Sequence, residues 1–326
     1  MNEKDFFLGI DTSNYKTSVA VVDGLGRTIL DERKLIDVAK GERGIRQSEA
    51  VFQHTNNFPL LIKSINNFPE IKGNIKAVSV SSKPRPVQGS YMPVFNCGYS
   101  LGSSLSSVLG IPFYEFSHQE GHIEAVKFGS KLENSRRFIA FHFSGGTTEA
   151  VLAVRTSGSD KNYQIVGGSR DISYGQLLDR VGVAMGISFP CGREMDKTAS
   201  CFDVNSDFIK IPRINVKDGY INISGQETFC LRAVENSDSD GLIHSLFKEI
   251  TYSIKEMTIQ LAKKYEVNDF IYAGGVASSR FIRENLKLDY NICFGNPELS
   301  ADNAVGIALL GRSRYGIETD NGNSAK

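Results

Sequence analysis

One pattern occurs twice in this 326-residue chain, and it constrains the fold more than any other feature. Phe6-Phe7-Leu8-Gly9-Ile10 runs into Asp11-Thr12-Ser13-Asn14, and Ser18-Val19-Ala20-Val21-Val22 leads away. Much later, Phe138-Ile139-Ala140-Phe141-His142-Phe143 runs into Ser144-Gly145-Gly146-Thr147-Thr148, and Ala150-Val151-Leu152-Ala153-Val154 follows. Each reads as an apolar strand, a tight turn of small polar residues and a returning strand. The repeat predicts two related lobes. The length agrees, at roughly 100–200 residues per domain. We place an N-terminal lobe at 1–125 and a C-terminal lobe at 126–326, with a last helix at about 302–315 packing back on the first lobe.

Further strands are expected at Ala77–Ser81 and Phe270–Ala273, the latter ending in Gly274-Gly275. Leu242, Ile243, Leu246, Ile250, Ile254, Met257 and Leu261 recur every three or four residues, the buried stripe of a long helix. Leu177, Val181 and Met185 mark a second helix, Leu101, Leu105 and Leu109 a third, and Ala304 to Leu310 a late one. Asp320 to Ser324 reads as a frayed polar tail. Alternating strands and helices define an α/β protein.

Lys and Arg number 37 and so do Asp and Glu, which argues against a large sequence-independent grip on nucleic acid. No run reaches the roughly 18 apolar residues of a membrane span, and the N-terminus lacks the blocks of a signal peptide. Five scattered cysteines (Cys97, Cys191, Cys201, Cys230, Cys293) fit a reducing cytoplasm rather than a disulfide framework.

Small-residue turns at strand ends can present backbone N–H groups to an anion. Three occur: Asp11-Thr12-Ser13, Ser144 to Thr148, and Gly274-Gly275-Val276-Ala277-Ser278. Tight turns need glycine for steric reasons alone, but three at strand ends point to a nucleotide held between lobes. Asp179 reads either as a solvated helix carboxylate or as a ribose ligand.

His118 and His122 lie four apart, on one face if the segment is helical. Such a pair is either a surface feature or a chelate for a transition metal. It is not the protease motif with Glu directly after the first histidine, because Gln119 stands there and Glu120 should point elsewhere. His142 is either a core histidine or a third ligand. Asp302 is either a helix N-cap or a carboxylate ligand.

Together these residues resemble the TsaD family, the catalytic subunit of tRNA threonylcarbamoyl-adenosine synthesis, along nearly the whole chain. Leu8-Gly9-Ile10-Asp11-Thr12-Ser13 is similar to the family's opening Leu-Gly-Ile-Glu-Thr-Ser. His118 to His122 resembles its His-x-Glu-Gly-His, and Ser144 to Thr148 its Ser-Gly-Gly-His-Thr. Asp179, Pro190-Cys191-Gly192 and Asp196 resemble its nucleotide stretch. Ile223-Ser224-Gly225, Gly274-Gly275-Val276 and Asp302-Asn303 resemble its Phe-Ser-Gly, Gly-Gly-Val and Asp-Asn.

The resemblance implies the two-lobed actin-like ATPase fold (ASKHA) with duplicated lobes. It implies one divalent metal, iron or zinc, on His118, His122 and Asp302. Some members place a tyrosine ligand where His142 stands, which adds His142 to the metal set. It implies ATP, ADP or an acyl-adenylate such as threonylcarbamoyl-AMP on Ser144, Gly145, Gly146, Thr147, Thr148, Asp179, Gly192, Asp196, Gly274, Gly275 and Ser279. The activity implied is transfer of the threonylcarbamoyl group to an adenine amino group of tRNA, with a protein partner.

The departures cluster at the active face. Where the family carries Cys-Asp-Glu-Thr this chain has Asn14-Tyr15-Lys16-Thr17, so a phenol and a cation replace two carboxylates. The family's Gly-Pro-Gly loop reads Lys83-Pro84-Arg85-Pro86, and only His54 remains of its Pro-Glu-Leu-Ala-Ser-Arg-x-His stretch. Asp11, Tyr15 and Lys16 are the expected catalytic residues, with Lys16, Lys83 and Arg85 facing an anionic substrate. The sequence reads as a divergent carbamoyl-type transferase. The alternatives are a non-catalytic nucleotide-binding partner subunit and the tRNA enzyme itself with unusual chemistry.

Overall fold

A computed structural model of the chain describes residues 1–13, 15–37, 45–155, 161–203, 209–235, 238–295 and 304–324. They form two compact units. One comprises Met1–Phe128, Arg155–Lys161 and Ala301–Lys326, and the other Gly129–Val154 and Asn162–Ser300.

In the first unit the strands are β1 (Phe6–Asp11), β2 (Lys16–Asp23), β3 (Thr28–Leu35), β4 (Ile75–Lys83) and β5 (Phe113–Ser117). The helices are α1 (Gln47–Ile62), α2 (Phe95–Leu109) and α3 (His118–Lys127). The sheet order is β3-β2-β1-β4-β5. β1 pairs antiparallel with β2 and parallel with β4, and β4 pairs parallel with β5.

The second unit holds β6 (Arg137–Phe143), β7 (Thr148–Arg155), β8 (Lys161–Ser169), α4 (Tyr174–Ala184), α5 (Gly192–Cys201), β9 (Val216–Lys217) and β10 (Tyr220–Ile221). It continues with α6 (Ser224–Ala233), α7 (Ser239–Tyr265), β11 (Asp269–Ala273), α8 (Arg280–Asn285) and β12 (Asn291–Phe294). Its sheet order is β12-β11-β6-β7-β8-β10-β9. Apart from the short β9 and β10, both sheets therefore run third-second-first-fourth-fifth in chain order. The repeat read from two hairpins extends to the whole sheet topology.

The chain ends in α9 (Val305–Ser324), part of the first unit. It is longer than the sequence pattern suggests and includes the stretch 320–324 read as a frayed tail. α9 packs on β1, β4 and α3. The approach is at backbone distance: a Cβ on Gly9 would stand 2.4 Å from the Ala304 carbonyl and 2.7 Å from the Ala308 amide. One on Gly306 would stand 1.8 Å from the Gly121 carbonyl.

The helix inferred from Leu101, Leu105 and Leu109 is α2, but its most buried face is a different one. Phe95, Cys97, Gly98, Gly102 and Ser106 are buried, while Leu109 is exposed. The glycines are the cause: a Cβ on Gly102 would lie 2.3 Å from Val80 Cγ1, so α2 lies against β4 over its small residues. The stripe on α7 matches its expected face, with Leu242, Leu246, Ile250, Ile254, Met257 and Leu261 fully buried.

Replacing Gly9 by Ala puts a methyl group inside backbone contact distance and should cost about 1–3 kcal/mol, the usual penalty of overpacking. Gly145→Ala, where nothing lies within 4 Å of the new Cβ, should leave the melting temperature near wild type. Thermal unfolding of the two variants side by side checks the contrast.

Candidate functional site

β1, β4 and β5 are parallel, so their C-terminal ends share one edge of the first sheet. Ligand sites of open α/β sheets gather at such edges. Asp11 ends β1, Ser81 and Lys83 lie near the end of β4, and Ser117 ends β5 directly before α3. Ser117 and Glu120 form a capping box: the Glu120 carboxylate accepts from the Ser117 amide at 2.8 Å, and Ser117 Oγ accepts from the Glu120 amide at 3.2 Å. Glu120 is thus turned to the helix end, away from the histidine face. The Gln119 amide donates to the Pro84 carbonyl at 3.1 Å, which ties the basic segment Lys83–Pro86 to the start of α3.

His118 and His122 meet on α3, with Nε2 atoms 2.9 Å apart and ring centroids 4.4 Å apart. His118 Nδ1 lies 2.8 Å from Asp11 Oδ2. Asp11 is 1 % exposed, and its Oδ1 accepts from the Ser13 amide at 2.9 Å and from Ser81 Oγ at 2.7 Å. α1 steadies the adjoining chain: His54 Nδ1 lies 2.8 Å from Thr17 Oγ1, and His54 Nε2 lies 3.2 Å from the Ser13 carbonyl.

This donor set fits a divalent transition metal. Two nitrogen ligands, each about 2.0–2.1 Å from one tetrahedral ion, stand roughly 3.3 Å apart, a little more than the 2.9 Å hydrogen-bond separation here. A carboxylate behind one imidazole is the usual second-layer support of such a ligand. Asp302 lies outside the described residues, and His142 belongs to the second unit. Among the described residues no group of three His, Cys, Asp or Glu side chains is arranged to hold a metal ion.

Lys16 opens β2 at the same sheet edge, since Asp11 pairs with Ser18. Tyr15 precedes it, with its carbonyl accepting from the Ile36 amide at 2.9 Å. Both side chains are half-buried.

In the second unit the turn 144–147 closes on itself. The Ser144 amide donates to the Thr147 carbonyl at 2.8 Å, and the Thr147 amide to Ser144 Oγ at 3.1 Å. α4 is seated against it: Ser173 Oγ donates to the Gly145 carbonyl at 2.7 Å, and the Tyr174 amide to Thr148 Oγ1 at 2.9 Å. A Cβ on Gly175 would meet Gly145 Cα at 2.4 Å, and one on Gly274 would meet the Phe143 carbonyl at 2.3 Å and His142 Cδ2 at 2.9 Å. These two glycines serve packing. A Cβ on Gly145, Gly146, Gly192 or Gly275 would meet nothing within 4 Å, so their backbones stand open to approach. His142 itself is buried near the end of β6.

The predicted nucleotide carboxylates have partners inside the fold. Asp179 Oδ1 accepts from the Cys191 amide at 2.8 Å. Burial raises the Asp179 carboxyl above its ordinary pKa, and the amide only partly offsets this. Asp196 caps α8, accepting from Ser279 Oγ, from the Arg280 amide at 2.9 Å and from the Phe281 amide at 3.1 Å. The structure so brings Asp196 and Ser279 together, and Asp196 with Arg193, Glu194, Lys197, Cys201 and Arg280 lines a cavity of about 620 Å³.

The fold class is the α/β actin-like ATPase fold. Component A of the (R)-2-hydroxyglutaryl-CoA dehydratase of Acidaminococcus fermentans superposes with a TM-score of 0.56 over 96 % of this chain and 99 % of its own, at 15 % identity. Full-length HypF, in a phosphate- and nucleotide-bound form, gives a TM-score of 0.61 over 97 % of this chain and 55 % of its own, at 11 % identity. Residues 28–309 match the model of the TsaD family, tRNA N6-adenosine threonylcarbamoyltransferase, and the chain belongs to that family. Relatives of that description include one from Thermosipho africanus, 28 % identical over 96 % of both chains. Another, from Geobacillus kaustophilus, is 27 % identical over 97 % of this chain and 93 % of its own.

Sequence reasoning missed Ser81. Its only signal was a serine in the apolar run 77–81, and the parallel neighbour that makes it matter is a property of the sheet. It also missed Asp171, which accepts from the Ile223 and Ser224 amides at 3.0 and 2.9 Å and so caps α6 across the fold. Burial alone would raise this carboxyl, but the amides hold it down at about 2. Its contribution to stability is complete above the ordinary value of 3.8 and is lost as pH falls toward 2. Asp171→Asn should therefore flatten the decline of melting temperature over that interval.

All five cysteines are free thiols. Cys191 is fully buried, and burial together with the nearby Asp179 charge pushes its thiol up to about 11. Burial pushes Cys230 to about 12. Cys201 is exposed. Iodoacetamide at neutral pH should label Cys201 well before Cys191 and Cys230, which become reactive on unfolding. Peptide mass mapping over time reads the order.

Proposed function

We propose that this chain is a metal- and nucleotide-dependent threonylcarbamoyl-type transferase whose acceptor step is altered. The observation that carries the reading is the His118–His122 pair, with ring nitrogens turned toward each other on a helix tied to Asp11. His118 and His122 would hold one iron or zinc ion, with Asp302 and His142 the candidates to complete its ligands. Such an ion is a Lewis acid toward a carbonyl or phosphoryl oxygen. The open backbone at Gly145, Gly146 and Gly275 would take the phosphate of ATP, ADP or an acyl-adenylate. Thr147, Thr148, Asp179, Gly192, Asp196 and Ser279 would frame the rest of that nucleotide.

The family acts on tRNA adenosine, and its transfer step is associated with a pair of carboxylates. With Tyr15 and Lys16 a phenol and a cation stand in place of both carboxylates, so that acid–base step would not run unchanged. Lys16, with Lys83 and Arg85, instead favours an anionic group at this edge, which supports a changed acceptor. The same substitution favours a second reading, a nucleotide-binding subunit that docks a protein partner without turnover. A cytoplasmic location suits five free thiols.

Metal and nucleotide content of the purified protein tests the proposal. A stoichiometric metal that is lost in the His118→Ala, His122→Ala double variant, together with ATP or ADP binding, supports the transferase. Nucleotide binding without metal supports the second reading. Lys16→Glu should weaken an anionic donor about tenfold or more, the scale of one lost charge-assisted hydrogen bond at about 1.5–3 kcal/mol. Unchanged binding removes that role from Lys16. Complementation of a strain lacking its own family enzyme separates tRNA from another acceptor.

A further inference from the structure

We propose that Arg283 is a positioning residue for nucleotide binding: its guanidinium clamps the turn Gly274–Ser278 in the form that receives the nucleotide's phosphate. The proposal rests on the nucleotide reading above and adds to it a residue outside the turn.

The turn follows β11, which pairs parallel with β6. It therefore starts on the same C-terminal sheet edge as the turn 144–147, the kind of edge where ligand sites of open α/β sheets gather. Gly275 leaves its backbone open there. The turn's own hydrogen bonds are local. The Ser278 amide donates to the Gly275 carbonyl at 3.2 Å, the Ser279 amide to the Val276 carbonyl at 3.1 Å, and Ser278 Oγ to the Gly274 carbonyl at 3.3 Å. These bonds stay within 274–279, so they shape the turn without fixing it to the sheet. Its exit is fixed by Asp196, which holds the first residues of α8.

Arg283 supplies the hold between β11 and that cap. From α8 its Nε donates to the Ala277 carbonyl at 2.9 Å, and its Nη2 to the Gly295 carbonyl at 2.6 Å. Gly295 directly follows β12, and its amide donates to the Tyr272 carbonyl of β11 at 3.1 Å. One guanidinium thus joins the turn after β11 to the end of the parallel strand beside it. The Phe294 ring flanks it, 5.2 Å from Cζ to the ring centroid.

The arrangement is costly for a cation. Arg283 is half-buried, and among the described residues its hydrogen bonds go to carbonyls and not to a carboxylate. Burial pushes it below its ordinary pKa, and the Asp196 charge opposes this. A long cationic side chain usually carries its head to water. What Arg283 gains instead is geometry: a planar fork holds two carbonyls of separate segments at a set spacing, which an ammonium on a flexible stem does not.

ADP and adenosine, titrated into the full-length wild type, Arg283→Lys and Arg283→Met, test the role, with unfolding transitions showing which variants are folded. ADP affinity should fall about tenfold or more in both variants, the scale of a lost hydrogen bond from a charged group, while adenosine affinity stays unchanged. Arg283→Lys keeps the charge and most of the stem, so it carries the test if Arg283→Met does not fold. In the nucleotide-free protein, amide hydrogen exchange should quicken over 274–279 in both variants. ADP affinity unchanged in a folded variant overturns the proposal, and so does an equal fall for ADP and adenosine, which marks general loosening. Unchanged exchange over 274–279 in a folded variant also overturns it. A wild type that binds no ADP defeats the nucleotide reading. In that case exchange alone judges the clamp, with faster exchange confined to the turn supporting it.

Discussion

The close approach of α9 to β1 and α3 governs the first unit. Gly9, Gly121 and Gly306 leave no room for a side chain at these crossings, and the helix settles almost onto the backbone of its neighbours. Dispersion contacts at such distances are dense, and a packed interior transmits small shifts instead of absorbing them. The histidine helix and the strand that ends in Asp11 are both among the elements that α9 packs against. The carboxylate–imidazole distance is therefore set by the seating of a helix whose own side chains take no part in it.

Much of this was legible in the chain. Short apolar runs closed by small-residue turns gave strands that the fold contains, because a buried strand needs little beyond continuous apolar character. The stripe on α7 was legible because bulky residues buried all along one face leave a strong period. The face of α2 was not, since beyond Phe95 and Cys97 its buried residues are Gly98, Gly102 and Ser106, which a hydrophobic period does not register. Its leucines drew attention to the neighbouring face.

For the site, the pairing of His118 with His122 followed from helical spacing alone. What lies behind them did not. Asp11 and Ser81 are 70 residues apart, and their meeting depends on a parallel strand register that no local pattern encodes. The same holds for Asp196, which caps a helix formed 84 residues later. Side-chain capping across the fold is chosen by topology, which the local sequence around a carboxylate does not encode.

The duplicated sheet order has a further consequence. The two units end their first strands at equivalent points, yet one point holds a carboxylate against imidazole nitrogens while the other runs into a turn of hydroxyls and glycines with room around their backbone. The first is Lewis-basic, and the second is built of small residues that leave its backbone open to approach. Starting from two copies of one scaffold, the chain has divided complementary chemistries between them. Each copy is free to change at that point without disturbing the strand register of the other.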